Sequence, residues 1–550
     1  MNKLSRHLIF SWVLVLLSSF FLQVLTISFV PGIGQDEVQI TDYGRLSIHP
    51  YSTWSMTWMI GENKPLLLWS YLGPLISEAA FYVGGPSGTG PRIASLIGGL
   101  AAGSVALGWL LSRNVPKYVA FFLGVAFLLD PLFNLSQRMG RSDSWVIALC
   151  LTACWLLRDA GSRPAKHANR EIFLAGGFAA IAALVWPSAF LLYPLILFEF
   201  WTFSRLEANV RKRLFHVARF LFGGVMITIL LLIPIREHLY IIFDDLKDML
   251  TFNVDTSKSP LDKIASIFSL NNWLKLVKIF VKTFSPFLPL LALLSLIYRN
   301  QIGLKLITLL AILLIFITLV YELRLLYLLP YFLALGGGLF TRIAELPINK
   351  LRQRVCTFAL FVIMGWPIVV TVLVRSGFAY TNREHHSRDK IGAVAESFVG
   401  PGDHRVFLGF TYEFYFAGRT LGWELYTPYI KWTYDRLGNW ERQNDYQPED
   451  KFVKLLSRMD YAIFPTSSIS DDLSRQLSMA GLIYRRQISI NDEKSEVTVS
   501  PEDRNKQILL AFLFGYKDYG PYFIYGRQRE VKAHSHRSAL NRSYAVNKYK

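Results

Sequence analysis

Long apolar runs recur through residues 1–375 and constrain the fold of this chain more than any other feature. They occupy residues 8–30, 93–111, 118–134, 144–157, 172–186, 188–203, 220–235, 279–297, 304–320, 325–340 and 355–374. A helix crosses a bilayer with about 20 predominantly apolar residues, so these runs predict about 11 spans. The chain is therefore predicted to be a polytopic α-helical membrane protein.

The composition agrees with a membrane protein. Of the 550 residues, 52% are hydrophobic and only 18% are charged, which is too apolar for an ordinary soluble chain of this length. The formal net charge is +18, but the Lys and Arg residues fall mostly in the short segments between apolar runs. This pattern indicates membrane topology and contact with membrane lipids, and it argues against nucleic acid as a partner.

The basic segments predict which side of the membrane each loop faces. The first run, Leu8 to Val30, is too long for a signal-peptide core, so we expect a retained helix with its N-terminus in the cytoplasm. The run from Leu66 to Val83 would invert every later loop if it crossed the bilayer, against the positive-inside rule. We therefore expect it to lie at the outer interface, within a first outer loop of residues 31–91. The predicted location is the inner (cytoplasmic) membrane.

From about residue 376 the composition becomes that of a soluble domain. Helical periodicity is present at residues 389–399, 449–459 and 471–480, and β-rich runs are present at 405–410, 461–464, 482–490 and 522–525. The chain is thus expected to contain a transmembrane module, residues 1–375, and a C-terminal extracytoplasmic α/β domain, residues 376–527. Residues 508–514 are expected to form a buried strand, and residues 528–550 a basic tail.

Several charged and polar residues beside the predicted spans share one side of the membrane, the outer one. They are Asp36, Glu37, Lys64, Arg138, Arg141, Asp143, Tyr321, Glu322 and Arg324. Charges at the mouth of an apolar bundle cost solvation free energy, which favours a functional role. Carboxylates among several cations fit a reaction in which a phosphate leaves from a lipid-anchored donor. The cations would stabilise charge on the phosphate, and a carboxylate would deprotonate an acceptor hydroxyl.

Short motifs occur in an order that resembles a known family. They are Gly34-Gln35-Asp36-Glu37, Lys64-Pro65-Leu66, Pro91-Arg92-Ile93-Ala94-Ser95, Arg141-Ser142-Asp143 and Arg324-Leu325-Leu326-Tyr327-Leu328-Leu329-Pro330. The order is similar to that of the GT-C glycosyltransferases. Within them the chain most resembles the protein mannosyltransferase-like group, which includes the bacterial aminoarabinose lipid A transferases and the rhizobial galacturonosyltransferases.

The resemblance covers about residues 1–375 and implies a GT-C fold. It also implies a polyprenyl-phosphate sugar donor, reaction at the extracytoplasmic face and inversion at the anomeric carbon. The acceptor would be lipid A or lipopolysaccharide, a cell-envelope glycan or a protein. No nucleotide-sugar site is expected.

The resemblance further implies roles for single residues. Three acidic residues are catalytic candidates, with the first as the base: Asp36, Asp143 and Glu37. Five residues are candidates for binding the donor phosphate: Lys64, Arg324, Arg141, Arg138 and Tyr321. The sequence departs from the family's Lys-Pro-Pro motif at Leu66, and Asn63 stands where some members carry a metal-contacting glutamate. A divalent cation is therefore an open question.

Structural interpretations of the same residues stay open. Asp36 and Glu37 could cap and charge the first turn of a helix starting near Val38. The cations at span ends could be anchors that reach lipid headgroups, and Arg141 could pair only with Asp143. For Glu78, in the interfacial run, we expect a structural hydrogen bond.

Two other functions also stay open. A transporter or flippase for an anionic lipid-linked glycan needs cations near a membrane path, but it would favour charged or broken segments in mid-membrane and inverted internal symmetry, which the sequence does not show. A non-catalytic assembly factor would keep the same topology and would lose nothing when Asp36 is neutralised.

Overall fold

A computed structural model describes most of the chain. The described residues are 6–29, 31–49, 52, 54, 70–85, 87–205, 207, 209–239, 269–297, 301–318, 320–345, 350–381, 383, 387–427, 431–434, 440–443, 449–466, 469–488 and 519–527. Lys64, the strand expected at residues 508–514 and the basic tail lie outside these residues.

Helices make up most of the described N-terminal part. They are α1 (Arg6–Val24), α2 (Gln35–Ile48), α3 (Leu72–Gly84), α4 (Thr89–Ser112), α5 (Lys117–Leu128), α6 (Pro131–Arg138), α7 (Asp143–Ala160), α8 (Ala165–Val185), α9 (Tyr193–Ser204), α10 (Val210–Leu232), α11 (Leu270–Lys282), α12 (Phe287–Ser295), α13 (Ile302–Thr318), α14 (Glu322–Leu325), α15 (Leu329–Glu345), α16 (Lys350–Pro367) and α17 (Arg375–Thr381). Short 3-10 turns follow α8, α10 and α14, and a π-helical turn, Ile368–Val374, follows α16.

The helices α4, α7, α8 and α10 pack side by side in the bundle. Small residues allow the closest approach, since the backbone of Gly176 in α8 lies directly against the carbonyl of Phe220 in α10. The bundle core is apolar and includes the fully buried side chains of Trp109, Leu151 and Leu195.

Five described helices are long and apolar enough to cross a bilayer. They are Arg6–Val24, Thr89–Ser112, Ala165–Val185, Val210–Glu237 and Glu322–Ile343. The pair α5 and α6 would make a sixth span, although it is bent by 49°. The predicted count of about 11 spans is therefore not confirmed in the described part of the chain, where several of the predicted runs form shorter or interrupted helices.

The bend between α5 and α6 corrects the prediction of one continuous span at residues 118–134. Asp130 is the N-cap of α6, and its carboxylate accepts hydrogen bonds from the backbone N–H groups of Leu132 and Phe133, at 3.0 and 3.2 Å. Pro131 occupies the first helical position, where its missing N–H is not needed. The Asp-Pro pair therefore starts a new helix.

One end of the bundle carries a buried ion cluster. Glu199 of α9 is fully buried, accepts a hydrogen bond of 3.1 Å from the indole of Trp109, and pairs with Arg113 and Arg158. The ends of α4, α7 and α9 therefore meet here, beside the basic loops that the sequence predicts on the cytoplasmic side. The first turns of α2 and α7 lie at the opposite end.

The C-terminal part contains a five-stranded sheet of order β2-β1-β5-β7-β6, and a separate pair of β3 and β4. The strands are β1 (Arg405–Leu408), β2 (Glu424–Tyr426), β3 (Lys431–Tyr434), β4 (Trp440–Gln443), β5 (Tyr461–Pro465), β6 (Leu482–Ile488) and β7 (Tyr522–Arg527), and the helices are α18 (Arg388–Phe398), α19 (Phe414–Thr420), α20 (Glu449–Leu456) and α21 (Asp471–Met479). β1 is parallel to β2 and β5, whereas β7 is antiparallel to β5 and β6. The predicted mixture of helices and strands is confirmed, while α19 and β2 to β4 were not predicted.

A second apolar core joins the sheet to the first predicted outer loop. Ile33, Val38 and Phe81 of that loop pack in one cluster with Phe414 and Trp423 of the C-terminal part. The helices α2 and α3 therefore lie between the bundle and the sheet, and they share the core of the C-terminal domain.

Candidate active site

Asp36 and Glu37 lie in the first turn of α2 but face different surroundings. The helix begins at Gln35, and its N-cap is Gly34, which makes no side-chain cap. Neither acid is therefore the N-cap, so that part of the structural interpretation is wrong, but its first-turn part is confirmed because both acids lie in the first turn. The Asp36 side chain is 41% exposed, whereas that of Glu37 is 1% exposed. Of the two, Asp36 is the one accessible to a substrate.

Arg141 bridges the carboxylates of Asp36 and Asp143. Its Nε donates a hydrogen bond of 2.6 Å to Asp143, and Nη1 donates to Asp36. Arg141 therefore does not pair only with Asp143, as one interpretation held. The preceding residue, Gly140, has a φ of 64°, and a Cβ there would lie 3.0 Å from Cγ of Glu37. Glycine thus allows the loop to turn closely beside α2.

The guanidinium of Arg141 stays protonated despite its burial. Burial lowers its pKa, but the carboxylates of Asp143 and Asp36 more than offset this effect, and the net result raises the pKa well above its usual value. A guanidinium carries five N–H donors in a rigid fork. Arg141 can therefore keep both carboxylates in a fixed relation while remaining cationic.

Tyr327 completes this group from the short 3-10 turn after α14. Its hydroxyl donates a hydrogen bond of 2.6 Å to the second oxygen of Asp143, and its side chain is fully buried. Tyr327 was not a sequence-predicted site residue. A signal was present, since it follows Arg324 by three residues, a spacing that places two side chains on one face of a helical turn.

Tyr321 lies near both carboxylates, and Arg324 lies beside Tyr321. The Arg324 guanidinium carbon is 5.5 Å from the centroid of the Tyr321 ring. Burial raises the pKa of Tyr321, and the charges of Arg141, Arg324, Asp36 and Asp143 also act on it. The phenol therefore stays protonated at neutral pH and can donate a hydrogen bond. The structure thus brings together five of the predicted site residues.

Glu37 instead forms a buried ion pair with Arg92 of α4. The two side chains make paired hydrogen bonds of 2.8 and 2.7 Å, and neither is more than 1% exposed. Arg92 also donates to the backbone carbonyls of Ile27 and Pro31, at 2.8 and 2.6 Å. Glu37 therefore ties the first turn of α2 to α4 and to the segment after α1.

Arg138 is not brought to this group. It is buried at the end of α6, where it donates to the hydroxyl of Thr26 at 3.0 Å and to the carbonyl of Gln23 at 3.4 Å. Lys64 lies outside the described residues, so its role stays a prediction.

The cation between the two site carboxylates is a guanidinium. Among the described residues, no three His, Cys, Asp or Glu side chains come together as a metal-binding group. The described part of the site therefore combines two carboxylates with Arg141 and Arg324 and the hydroxyls of Tyr321 and Tyr327.

Comparisons with known proteins support the fold. No protein-family model matches the sequence, and no curated protein matches it. The structure is similar to the crystal structure of ArnT from Cupriavidus metallidurans in the apo state, with a TM-score of 0.54 and 13% sequence identity, over 94% of this chain and 97% of that chain. The chain has the GT-C fold.

The GT-C likeness includes a ligand-bound relative. The crystal structure of ArnT from Cupriavidus metallidurans bound to undecaprenyl phosphate matches with a TM-score of 0.52 and 12% identity, over 94% of this chain and 98% of that chain. At this identity the likeness concerns the fold. Because nearly the whole of each chain is covered, the GT-C likeness is not confined to residues 1–375, where the sequence motifs lie.

Proposed function

We propose that the chain is an inverting glycosyltransferase that moves a sugar, a hexosyl or pentosyl unit, from a polyprenyl-phosphate donor to an acceptor outside the cytoplasmic membrane. One observation carries the proposal. A half-exposed carboxylate, Asp36, is fixed by Arg141 at the end of an apolar bundle, and the cation of Arg324 lies beside Tyr321 in the same group of residues. The GT-C fold shared with an ArnT that binds undecaprenyl phosphate supports this donor class.

Asp36 is the proposed base. The acceptor hydroxyl approaches Asp36 and attacks the anomeric carbon through a transition state with oxocarbenium character. A bond forms between the acceptor oxygen and the anomeric carbon, while the bond from that carbon to the phosphate oxygen breaks. The acceptor proton passes to Asp36, and the electron pair of the broken bond leaves with the polyprenyl phosphate. Asp143 holds Arg141 and thereby the orientation of Asp36.

The leaving phosphate gains negative charge as this bond breaks. Fixed cations and hydrogen-bond donors stabilise such charge without reorganisation. Arg324 and the Tyr321 hydroxyl are the proposed described donors, together with Lys64, whose role comes from the sequence. Arg141 adds positive charge, although two of its nitrogens already donate to carboxylates. Arg138 is not included, because it binds the end of α1.

The proposed setting is the inner membrane, with the active site on the extracytoplasmic side. The basic residues near Glu199 mark the other end of the bundle, which suits the cytoplasmic side by the positive-inside rule. The proposed acceptors are lipid A or lipopolysaccharide, a cell-envelope glycan or a protein.

The test is sugar transfer by the purified protein. The donors are undecaprenyl phosphates carrying a hexose, a pentose or a uronic acid, and envelope extracts supply acceptors. Asp36→Asn should lower the rate by at least about a hundredfold, because the base is lost. The matched control is Asp472→Asn, which changes another partly exposed aspartate paired with an arginine in the first turn of a helix.

Full transfer by folded Asp36→Asn would remove the proposed mechanism. No transfer by the wild type from any donor, with transport of the intact lipid-linked sugar instead, would favour the transporter or flippase. Neither transfer nor transport would favour the non-catalytic assembly factor.

A further inference from the structure

The C-terminal domain contacts the helix that carries Asp36 through buried polar side chains. Apolar contacts alone would hold the domain against the helix. Buried ion pairs and hydrogen bonds also fix its orientation, because their geometry allows the bonded groups little displacement. The C-terminal domain makes such contacts with α2, with α3 and with the residues that flank these two helices.

Arg419 and Glu78 form the strongest of these contacts. The guanidinium of Arg419 in α19 donates two hydrogen bonds, of 2.6 and 2.7 Å, to the two oxygens of Glu78 in α3. Both side chains are buried, at 7% and 1% exposed, and Arg419 also lies 4.6 Å from the ring centroid of Phe81. The structural hydrogen bond expected for Glu78 is confirmed, and its partner belongs to another domain.

The helix α3, which carries Glu78, packs directly against α2. A Cβ on Gly44 in α2 would lie 2.1 Å from the carbonyl oxygen of Pro74 and 2.7 Å from Cβ of Glu78, so α2 and α3 are in backbone contact. Displacement of Glu78 would therefore displace α2.

Tyr415 touches α2 directly. Its buried hydroxyl donates a hydrogen bond of 3.0 Å to Asp42, which also accepts from Nε of Arg45 at 2.9 Å. Asp42 lies six residues after Asp36 on the same helix, so this bond holds α2 beyond its first turn.

The start of α2 is held as well. The hydroxyl of Tyr519 accepts the backbone N–H of Ile33, at 2.9 Å, immediately before the N-cap. Arg388 donates to the carbonyls of Ser28 and Ser87, at 3.1 and 2.6 Å, and lies 3.6 Å from Glu37. The C-terminal domain therefore binds the chain both before Asp36, at Ile33, and after it, at Asp42.

We propose that the C-terminal domain sets the position of Asp36 in the active site, with Arg419 and Tyr415 as positioning residues that act through α2. This inference rests on the function proposed above for Asp36. It gives the domain a part in the chemical step that is separate from any binding of the acceptor.

The experiment compares three variants at the interface with one control. Arg419→Met removes both bonds to Glu78, Arg419→Lys keeps the charge, and Tyr415→Phe removes a single hydroxyl, so it is the variant least disturbing to folding. The control is Arg475→Met, which removes an arginine from an exposed pair with Asp472 in the same domain. Each protein is assayed for sugar transfer and for hydrogen exchange of the amides in residues 35–48.

A misplaced catalytic group lowers the rate of chemistry more than it lowers donor binding. We therefore expect Arg419→Met and Tyr415→Phe to reduce kcat by about tenfold or more with KM for the donor changed by less than about twofold. Arg419→Lys should recover part of the rate. Amide exchange in α2 should become faster by about tenfold in Arg419→Met and in Tyr415→Phe, and it should stay unchanged in Arg475→Met.

Unchanged kcat and unchanged exchange in folded Tyr415→Phe and Arg419→Met would overturn the inference. A raised KM for the acceptor with kcat unchanged would also overturn it, because the domain would then serve binding. Failure of the proposed function is separable: if the wild type transfers no sugar, exchange in α2 still reports whether the domain holds this helix.

Discussion

Tyr327 and Asp143 are 184 positions apart in the sequence, and the Tyr327 hydroxyl donates a hydrogen bond of 2.6 Å to the Asp143 carboxylate. The other oxygen of Asp143 accepts from Arg141, which in turn donates to Asp36. Tyr327 is thus the buried end of a chain of contacts that reaches the proposed base.

Tyr327→Phe tests this chain of contacts. The substitution leaves one oxygen of buried Asp143 without its donor, which should cost about 1–3 kcal/mol of unfolding free energy and loosen Arg141. We expect kcat to fall by about tenfold, measured by sugar transfer. Tyr331→Phe is the matched control, since the Tyr331 hydroxyl donates to the carbonyl of Leu191. Equal rates in the two variants would contradict the role given to Tyr327.

Glu37→Gln should act on stability more than on chemistry. Arg92 would be left as a buried charge without its carboxylate, a loss of about 3–5 kcal/mol. We expect a clear fall in the thermal unfolding midpoint in detergent, with partial recovery in Glu37→Asp. Asp36→Asn in the same helical turn should keep the wild-type midpoint. A Glu37→Gln protein with unchanged midpoint and no transfer would instead make Glu37 a catalytic acid or base.

Gly140→Ala should damage the site through the backbone. The left-handed conformation costs a residue with a Cβ about 1–2 kcal/mol, and the new Cβ would press on Glu37 beside Arg141. The control is Gly481→Ala, at a φ of 77° with open space around its Cβ. Gly140→Ala should lose more stability than Gly481→Ala, because only its Cβ presses on a neighbour, and only Gly140→Ala should lose transfer activity. Equal activity of the two would show that the Gly140 loop does not fix Arg141.

The sequence allowed much of the candidate site to be predicted, because topology and charge carry that information. Asp36, Arg141, Asp143, Tyr321 and Arg324 were predicted on one side of the membrane, and the structure brings them together. The order of the spans predicts which loops share a side of the membrane, and the free-energy cost of charges beside lipid singles out candidate functional residues.

Other features were missed, because their local signals were weak or because they depend on tertiary contacts. In the sequence, Tyr327 is one more residue of an apolar span, and only the structure shows that its hydroxyl binds Asp143. The bend at Asp130 and Pro131 was signalled locally but was hidden within an apolar run. The partner of Glu78 is Arg419, which lies in a short, mostly buried helix without the amphipathic pattern of a surface helix. Such contacts across distant parts of the chain appear only in the folded structure.

Native mass spectrometry of the detergent-purified protein tests most directly whether the site binds a polyprenyl phosphate. The wild type is compared, after addition of undecaprenyl phosphate, with Lys64→Ala/Arg324→Ala and with a control that removes two exposed cations from the other end of the bundle, Lys117→Ala/Arg211→Ala. We expect one lipid-phosphate adduct on the wild type and on the control, and its loss from the first variant. An adduct kept by Lys64→Ala/Arg324→Ala, or none on the wild type, would contradict the proposed donor site.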